Sequence, residues 1–275
     1  TQTLVPRVLP GGHLFGMDVD PIELPRTTAR LRALGFDEAA LSTHRRNFSE
    51  MASLLPQAGG GFDFVLADLG VSSMQIDNPA RGFSFRADGP LDLRLDPTAG
   101  QSASELLQSV TRQHLRDLLI DHSDEPFAIP LAAALQGQYV ETTTQLAELV
   151  RAAMQGALKA SMPQEERLVE TKKALQRTFQ ALRIEVNNEF GVLDTLLAAL
   201  PACLKPGGRV AILSFHSGED RRVKKAFQTG ERDGTYSSVA PDPIRASMEE
   251  RRANSRSTSA KLRWAVRAGG PPLAA

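Results

Sequence analysis

Short apolar segments that end in a polar or acidic residue and pass into a helical pattern constrain this chain more than any other feature. "HLFGMDVDP" (13–21) reads as a strand ending in acids, and "PIELPRTTARLRALG" follows as a helix stopped at Gly35. "FDFVLADLG" (62–70) is a second buried strand, and "KPGGRVAILSFHS" (205–217) is a turn and then a third. "RRVKKAF" continues from it as a helix. Apolar strands alternating with helices require a parallel-rich sheet with helices on its faces, an α/β fold.

The alternation is interrupted once. "SASELLQSV", "TRQHLRDLLI" and "TTTQLAELVRAAMQGAL" are three successive helical patterns with no strand between them. They predict a helical subdomain, 101–177, inserted into an α/β domain made of 1–100 and 178–275. A long amphipathic pattern over 177–204 leads back to the sheet. Beyond it, "GERDGTYSSVAPDPIRAS" is Gly/Ser/Pro-rich and predicts loop, and "AKLRWAVRA" predicts a terminal strand.

Residues 65–97, "VLADLGVSSMQIDNPARGFSFRADGPLDLRLDP", open as a strand and then lose all period. Loops that long inside a domain are usually functional. Ligands of doubly wound sheets bind beyond the carboxyl ends of the strands, so strand-end residues are the candidates: Asp18, Asp20, Asp68 and Ser214-Phe215-His216. Asp20 precedes Pro21 and a helix and reads as an N-cap, which leaves Asp18 as the ribose ligand. Asp68 faces the ligand crevice, with a turn cap as its plain alternative. Phe83 and Phe85 either stack on a base or pin the loop to the core. His216 alone is more often structural than catalytic. Gly11-Gly12-His13 precedes a strand and is a turn, and Asn78-Pro79-Ala80 lacks the second proline and aromatic of an amino-group methyltransferase signature. The lone Cys203 leaves no cysteine-based zinc spacing and no internal disulfide, and suits a core position in a reducing compartment.

No apolar run reaches the roughly 18 residues of a membrane helix, and no signal peptide is visible. The formal charge is zero, yet from Arg221 onward 12 Lys and Arg stand against 5 Asp and Glu, while the rest carries 20 against 27. A basic end on an acidic body suits an anionic partner.

The stretch from Asp68 to Pro97 resembles the signature of the RsmH family, also called MraW. "RTFQALRIEVNNE", "LKPGGRVAILSFHSGEDRRVKKAF" and "NSRSTSAKLR" are similar to its later blocks, in the right order. The resemblance implies a Rossmann-like methyltransferase whose inserted helices recognise substrate. It implies S-adenosylmethionine as methyl donor and N4 of a cytidine in small-subunit ribosomal RNA as acceptor, within an assembled or assembling subunit. A cytoplasmic bacterial enzyme is the expectation, with an organellar copy as the variant. By motif, Asp18, Phe48, Asp68 and Gln75 stand where donor contacts are expected, with Asp68 also the candidate catalytic group. Phe83, Phe85, His216, Arg221, Arg222, Lys224 and Lys225 are the candidate RNA contacts. The family's opening strand and Gly-rich loop do not precede Thr1, which implies weak donor binding by these residues alone. Met74 replaces a usual Pro, Gly218 a usual Leu, and Pro126 and Pro130 are expected to break a usually helical segment. A non-catalytic RNA-binding or assembly factor on the same fold is the alternative. A nicotinamide enzyme fits poorly, because no G-x-G-x-x-G follows a strand.

Overall fold

A computed structural model of the chain describes residues 2–269. The chain divides into two compact units, Thr1–Gly70 with Phe190–Ala275, and Val71–Glu189. The stretch 101–177 lies inside the second unit, which starts and ends further out in the sequence.

The first unit opens with a short helix α1 (Val5–Val8), then β1 (Leu14–Asp18), α2 (Glu23–Ala33), β2 (Leu41–Arg45), a 3₁₀ turn (Phe48–Leu54) and β3 (Phe62–Asp68). Asp20 starts α2: its buried carboxylate accepts the N–H groups of Ile22 (2.8 Å) and Glu23 (3.1 Å), donors that a helix start otherwise leaves unpaired. Strand β2 pairs with β1 in parallel, Leu14 opposite Leu41 through Asp18 opposite Arg45. The sequence pattern does not announce β2, because "LSTHR" holds one apolar residue. Pairing with β1 decides it.

The second unit contains α3 (Ser73–Ile76), α4 (Ala103–Ser109), α5 (Arg112–Ser123), α6 (Ala128–Leu135), α7 (Thr143–Ala157) and α8 (Gln164–Val186). Its core is built from Leu115 and Leu119 of α5, Leu131 and Leu135 of α6, Leu146 and Val150 of α7 and Leu182 of α8, with Leu91 and Leu93 from the aperiodic stretch. Of the two prolines expected to break this segment, Pro126 lies in the gap between α5 and α6, but Pro130 breaks nothing. Pro130 is the third residue of α6, in the first turn, where its missing N–H has no intrahelical partner to lose.

The pattern over 177–204 proves to be the end of α8 and a separate helix, α9 (Glu189–Cys203), parted at Asn187-Asn188. Asn188 has φ +47°, a left-handed conformation that stops a helix. The first unit then completes with β4 (Leu204–Ser214), α10 (Ser217–Arg232), β5 (Tyr236–Val239), β6 (Ile244–Arg245), α11 (Met248–Ala253) and β7 (Lys261–Arg267). The larger sheet runs β3-β4-β7-β5, with β6 also on β7. Strands β3 and β4 are parallel, as the crossover reading requires, and β7 is antiparallel to its partners. The Gly/Ser/Pro-rich segment expected to be loop holds β5 and β6. Its short strands show no alternation, and pairing with β7 creates them.

Residues Leu193, Leu196, Leu197 and Leu200 of α9 form one helical stripe that packs with Val210 and Ile212 of β4 and with Val223 and Phe227 of α10. Each such side chain stabilises the fold by about 1.5–3 kcal/mol on burial. Cys203 is in this core, as its apolar run predicts, and burial raises its thiol pKa. This packing fixes the end of β4 and the start of α10, where the candidate chemistry lies.

Candidate functional site

Strand β3 ends at Asp68, opposite Leu213 of β4, and the Leu69 N–H donates to the Leu213 carbonyl (3.0 Å). The two strand ends are therefore held side by side. Gly70 follows with φ +80°, a conformation costly for any residue with a Cβ. The Phe215 ring lies 3.8 Å from where that Cβ would stand. Asp68 keeps an exposed surface, yet surrounding protein partly desolvates its carboxyl and the Glu219 carboxylate adds like charge. Both effects raise its pKa above the usual carboxylate range. A carboxylate so placed is a better proton acceptor than an ordinary surface aspartate.

The first turn of α10 supports this end. Buried Glu219 accepts the Phe215 N–H (2.8 Å), closing the turn between β4 and the helix. The Nε2 of His216 stands 3.3 Å from the other Glu219 oxygen, but neither buried ring nitrogen of His216 has an aligned hydrogen-bond partner. Asp220, next in sequence, does the reverse. It takes Arg263 (2.7 Å) and Lys261 (3.2 Å), both from β7. Burial alone would raise its pKa; these hydrogen bonds and charges outweigh that and hold it below the usual range. Gly218 is also explained: a Cβ there would stand 2.5 Å from the Phe190 ring, so the absence of a side chain makes room for Phe190.

At the other parallel pair, Asp18 ends β1 with an exposed side chain that accepts the Asp20 N–H (2.9 Å). Asp20 holds the start of α2, as its sequence context predicts. Phe48 begins the 3₁₀ turn, whose Asn47 and Glu50 form a capping box, and packs half-buried against the first unit's core.

In the second unit the aperiodic stretch is bound to its own unit. Gln75 is 5% exposed, and its amide oxygen accepts the Ser72 N–H (2.8 Å) in a capping box. Buried Arg81 donates to the carbonyls of Arg94 (3.1 Å) and Leu95 (2.8 Å). Asn187 accepts the Leu95 N–H (2.7 Å) and donates to the Leu93 carbonyl (2.8 Å). Gly89 passes so close to Pro79 that a Cβ would fall 1.9 Å from its carbonyl oxygen. Of the two readings of Phe83 and Phe85, pinning is what the packing favours: both lie half-buried against the helical core, Phe85 with its ring 5.3 Å from that of Phe179.

Residues 2–268 match the model of the MraW methylase family. The chain belongs to that family. It is 48% identical over 273 residues to ribosomal RNA small subunit methyltransferase H 1 of Agathobacter rectalis, covering 98% of this chain and 76% of the relative. It is 49% identical, with the same coverage, to methyltransferase H 2 of Alkaliphilus metalliredigens. Ribosomal RNA small subunit methyltransferase H of a Synechococcus strain is 42% identical, over 93% of this chain and 81% of that one. Family membership makes the chain a methyltransferase and implies a methyl donor.

Within this MraW chain the basic residues of α10 are not equivalent. Arg222 lies 3.8 Å over the Phe190 ring and 3.4 Å from Asp194, so it is engaged in the fold. Arg221, Lys224 and Lys225 are exposed. Arg221, Arg222 and Lys225 line an open groove of about 670 Å³, together with Leu197, Pro201, Ala226, Asp194 and Asp233. The sequence reading missed Glu219, Asp220 and Arg263, because the ion pair joins residues 43 positions apart. One signal was available: adjacent acids in a helix's first turn read as dipole and cap partners. Among the described residues no helix is long and apolar enough to cross a membrane.

Proposed function

We propose that this protein transfers the methyl group of S-adenosylmethionine to N4 of a cytidine in small-subunit ribosomal RNA. The observation that carries the reading is the family match over 2–268 together with relatives named ribosomal RNA small subunit methyltransferase H.

The donor, when bound, supplies a methyl group already activated on a positive sulfonium. The residues suit such a molecule: Asp18 and Asp68 offer strand-end carboxylates to hydroxyl and cationic groups, Gly70 leaves the backbone beside Asp68 open, and Phe48 offers an apolar face for a base. Gln75 serves through the turn it caps after Gly70. With an activated donor, positioning supplies much of the rate. The cytosine amine is a weak nucleophile because its lone pair is shared with the ring. Asp68 accepts an amine N–H, which keeps electron density on nitrogen, and takes the proton as the N–C bond forms. Its raised pKa favours that second task. His216, just past the β4 end, contributes to the acceptor side of the site. The cytidine is unstacked before reaction. Phe83 and Phe85 shape their own loop, and the inserted helical unit reads RNA. Arg221, Lys224 and Lys225 hold phosphates, with Arg222 contributing less. An assembling or assembled small subunit in a bacterial cytoplasm is the setting.

Incubating the protein with methyl-labelled S-adenosylmethionine and small subunits from cells lacking the modification tests this. Label at N4 of one cytidine is the expected result. Tight RNA binding with no label transfer would favour the assembly-factor reading.

A further inference from the structure

Glu219 is an ionisable side chain only 3% exposed, and the chemistry above does not use it directly. A carboxylate is seldom buried without a task, since desolvation opposes its charge. Here one oxygen accepts the Phe215 N–H at 2.8 Å, and the other lies 3.3 Å from the His216 ring. Phe215 is the residue whose ring borders Gly70, two residues after Asp68, and β4, which ends at Ser214, is the strand paired with β3. Glu219 therefore connects the first turn of α10 to the backbone and ring that follow the β4 end. A cap for α10 alone would not require the carboxylate to be so buried or so close to His216.

We propose that Glu219 is a positioning residue for methyl transfer: it fixes the Phe215-His216 turn beside Asp68 and stands against the His216 ring. This rests on the methyltransferase reading above. Glu219 acts through the turn and touches neither methyl donor nor acceptor. Its loss should therefore disturb the reacting geometry more than ground-state binding.

The test measures kcat and KM for donor and for small-subunit RNA in Glu219→Ala and Glu219→Gln. The alanine variant should lose kcat by roughly 10–100-fold, the scale of a misplaced reacting group, with the donor KM within about twofold. The glutamine variant, whose amide oxygen still accepts the Phe215 N–H, should recover most of that rate. Phe227→Leu, a core truncation in the same helix, should lower the melting temperature and leave kcat unchanged. If Glu219→Ala does not fold, Glu219→Asp, which withdraws the carboxylate by one methylene, takes its place with the same expected fall in kcat. Unchanged kcat in a folded alanine or aspartate variant overturns the proposal. So does a glutamine variant as impaired as alanine, or a loss confined to KM. Absence of transfer by the unaltered protein would instead defeat the methyltransferase reading itself.

Discussion

Two stretches that look alike in sequence, 71–97 and 214–220, are put to different uses. Both are rich in residues that chemistry could employ. In 71–97 the polar groups are occupied: Gln75 caps a turn, Arg81 binds two carbonyls, and Phe83 and Phe85 pack on the helical core. In 214–220 the uses diverge between neighbours. Asp220 is paired with Arg263 and Lys261, while half-buried His216 stands 3.3 Å from Glu219 with no aligned hydrogen bond to either ring nitrogen. Residue type does not separate scaffold from chemistry. The partner of each polar atom describes the difference better, because a buried polar group left without one costs free energy.

The largest effect should come from breaking the paired side. Asp220→Asn leaves Arg263 and Lys261 near an uncharged partner, and thermal or denaturant unfolding at pH 7 should show a loss of about 3 kcal/mol. The pKa of Asp220 is lowered in the fold, so its contribution is present above the unfolded value, about 3.9, and fades as pH falls through the lower folded value. The difference between variant and parent should therefore shrink in acid. A constant difference down to acid pH would show that packing, not charge, was lost.

Asp68→Asn tests the other side. Stability should hold, and the methyl-transfer rate at saturating donor should fall about 100-fold, on the order of 2.7 kcal/mol of barrier, with donor affinity little changed. A loss of donor affinity with recovery of rate at saturation would make Asp68 a donor anchor instead.

Arg81→Met keeps the apolar stem and removes the donors to Arg94 and Leu95. It should destabilise the protein by about 2 kcal/mol in chemical denaturation, leaving two carbonyls unmatched. If the rate falls with stability unchanged, the loop is more than scaffold and the contrast fails.

The smallest effects belong to the exposed cations. Replacing Lys224 or Lys225 by Ala should reduce the salt dependence of RNA binding by about 0.7 each on single strands. Arg222→Ala should change it less, since that guanidinium is already placed over Phe190. Equal slopes for the three variants would show that Arg222 leaves the ring to meet phosphate.

The chain by itself determined the elements whose signal is local. Apolar runs gave β1, β3 and β4, apolar–basic alternation gave β7, helical spacing gave α2, α4, α5, α7 and α10, and Asp20-Pro21 announced its own cap. The blocks around "DLGVSSMQ" and "SFHSGEDRR" made the family legible as well. Tertiary structure decided whatever depends on a distant partner. Strand β2 exists because β1 lies beside it, β5 and β6 because β7 does, and the helix break at Asn188 fell within one continuous amphipathic pattern. It also decided which of Glu219 and Asp220, adjacent in sequence, pairs with a strand and which turns toward Phe215 and His216. Successive residues on a helix point about 100° apart, so two neighbouring acids enter different surroundings that only the folded chain defines.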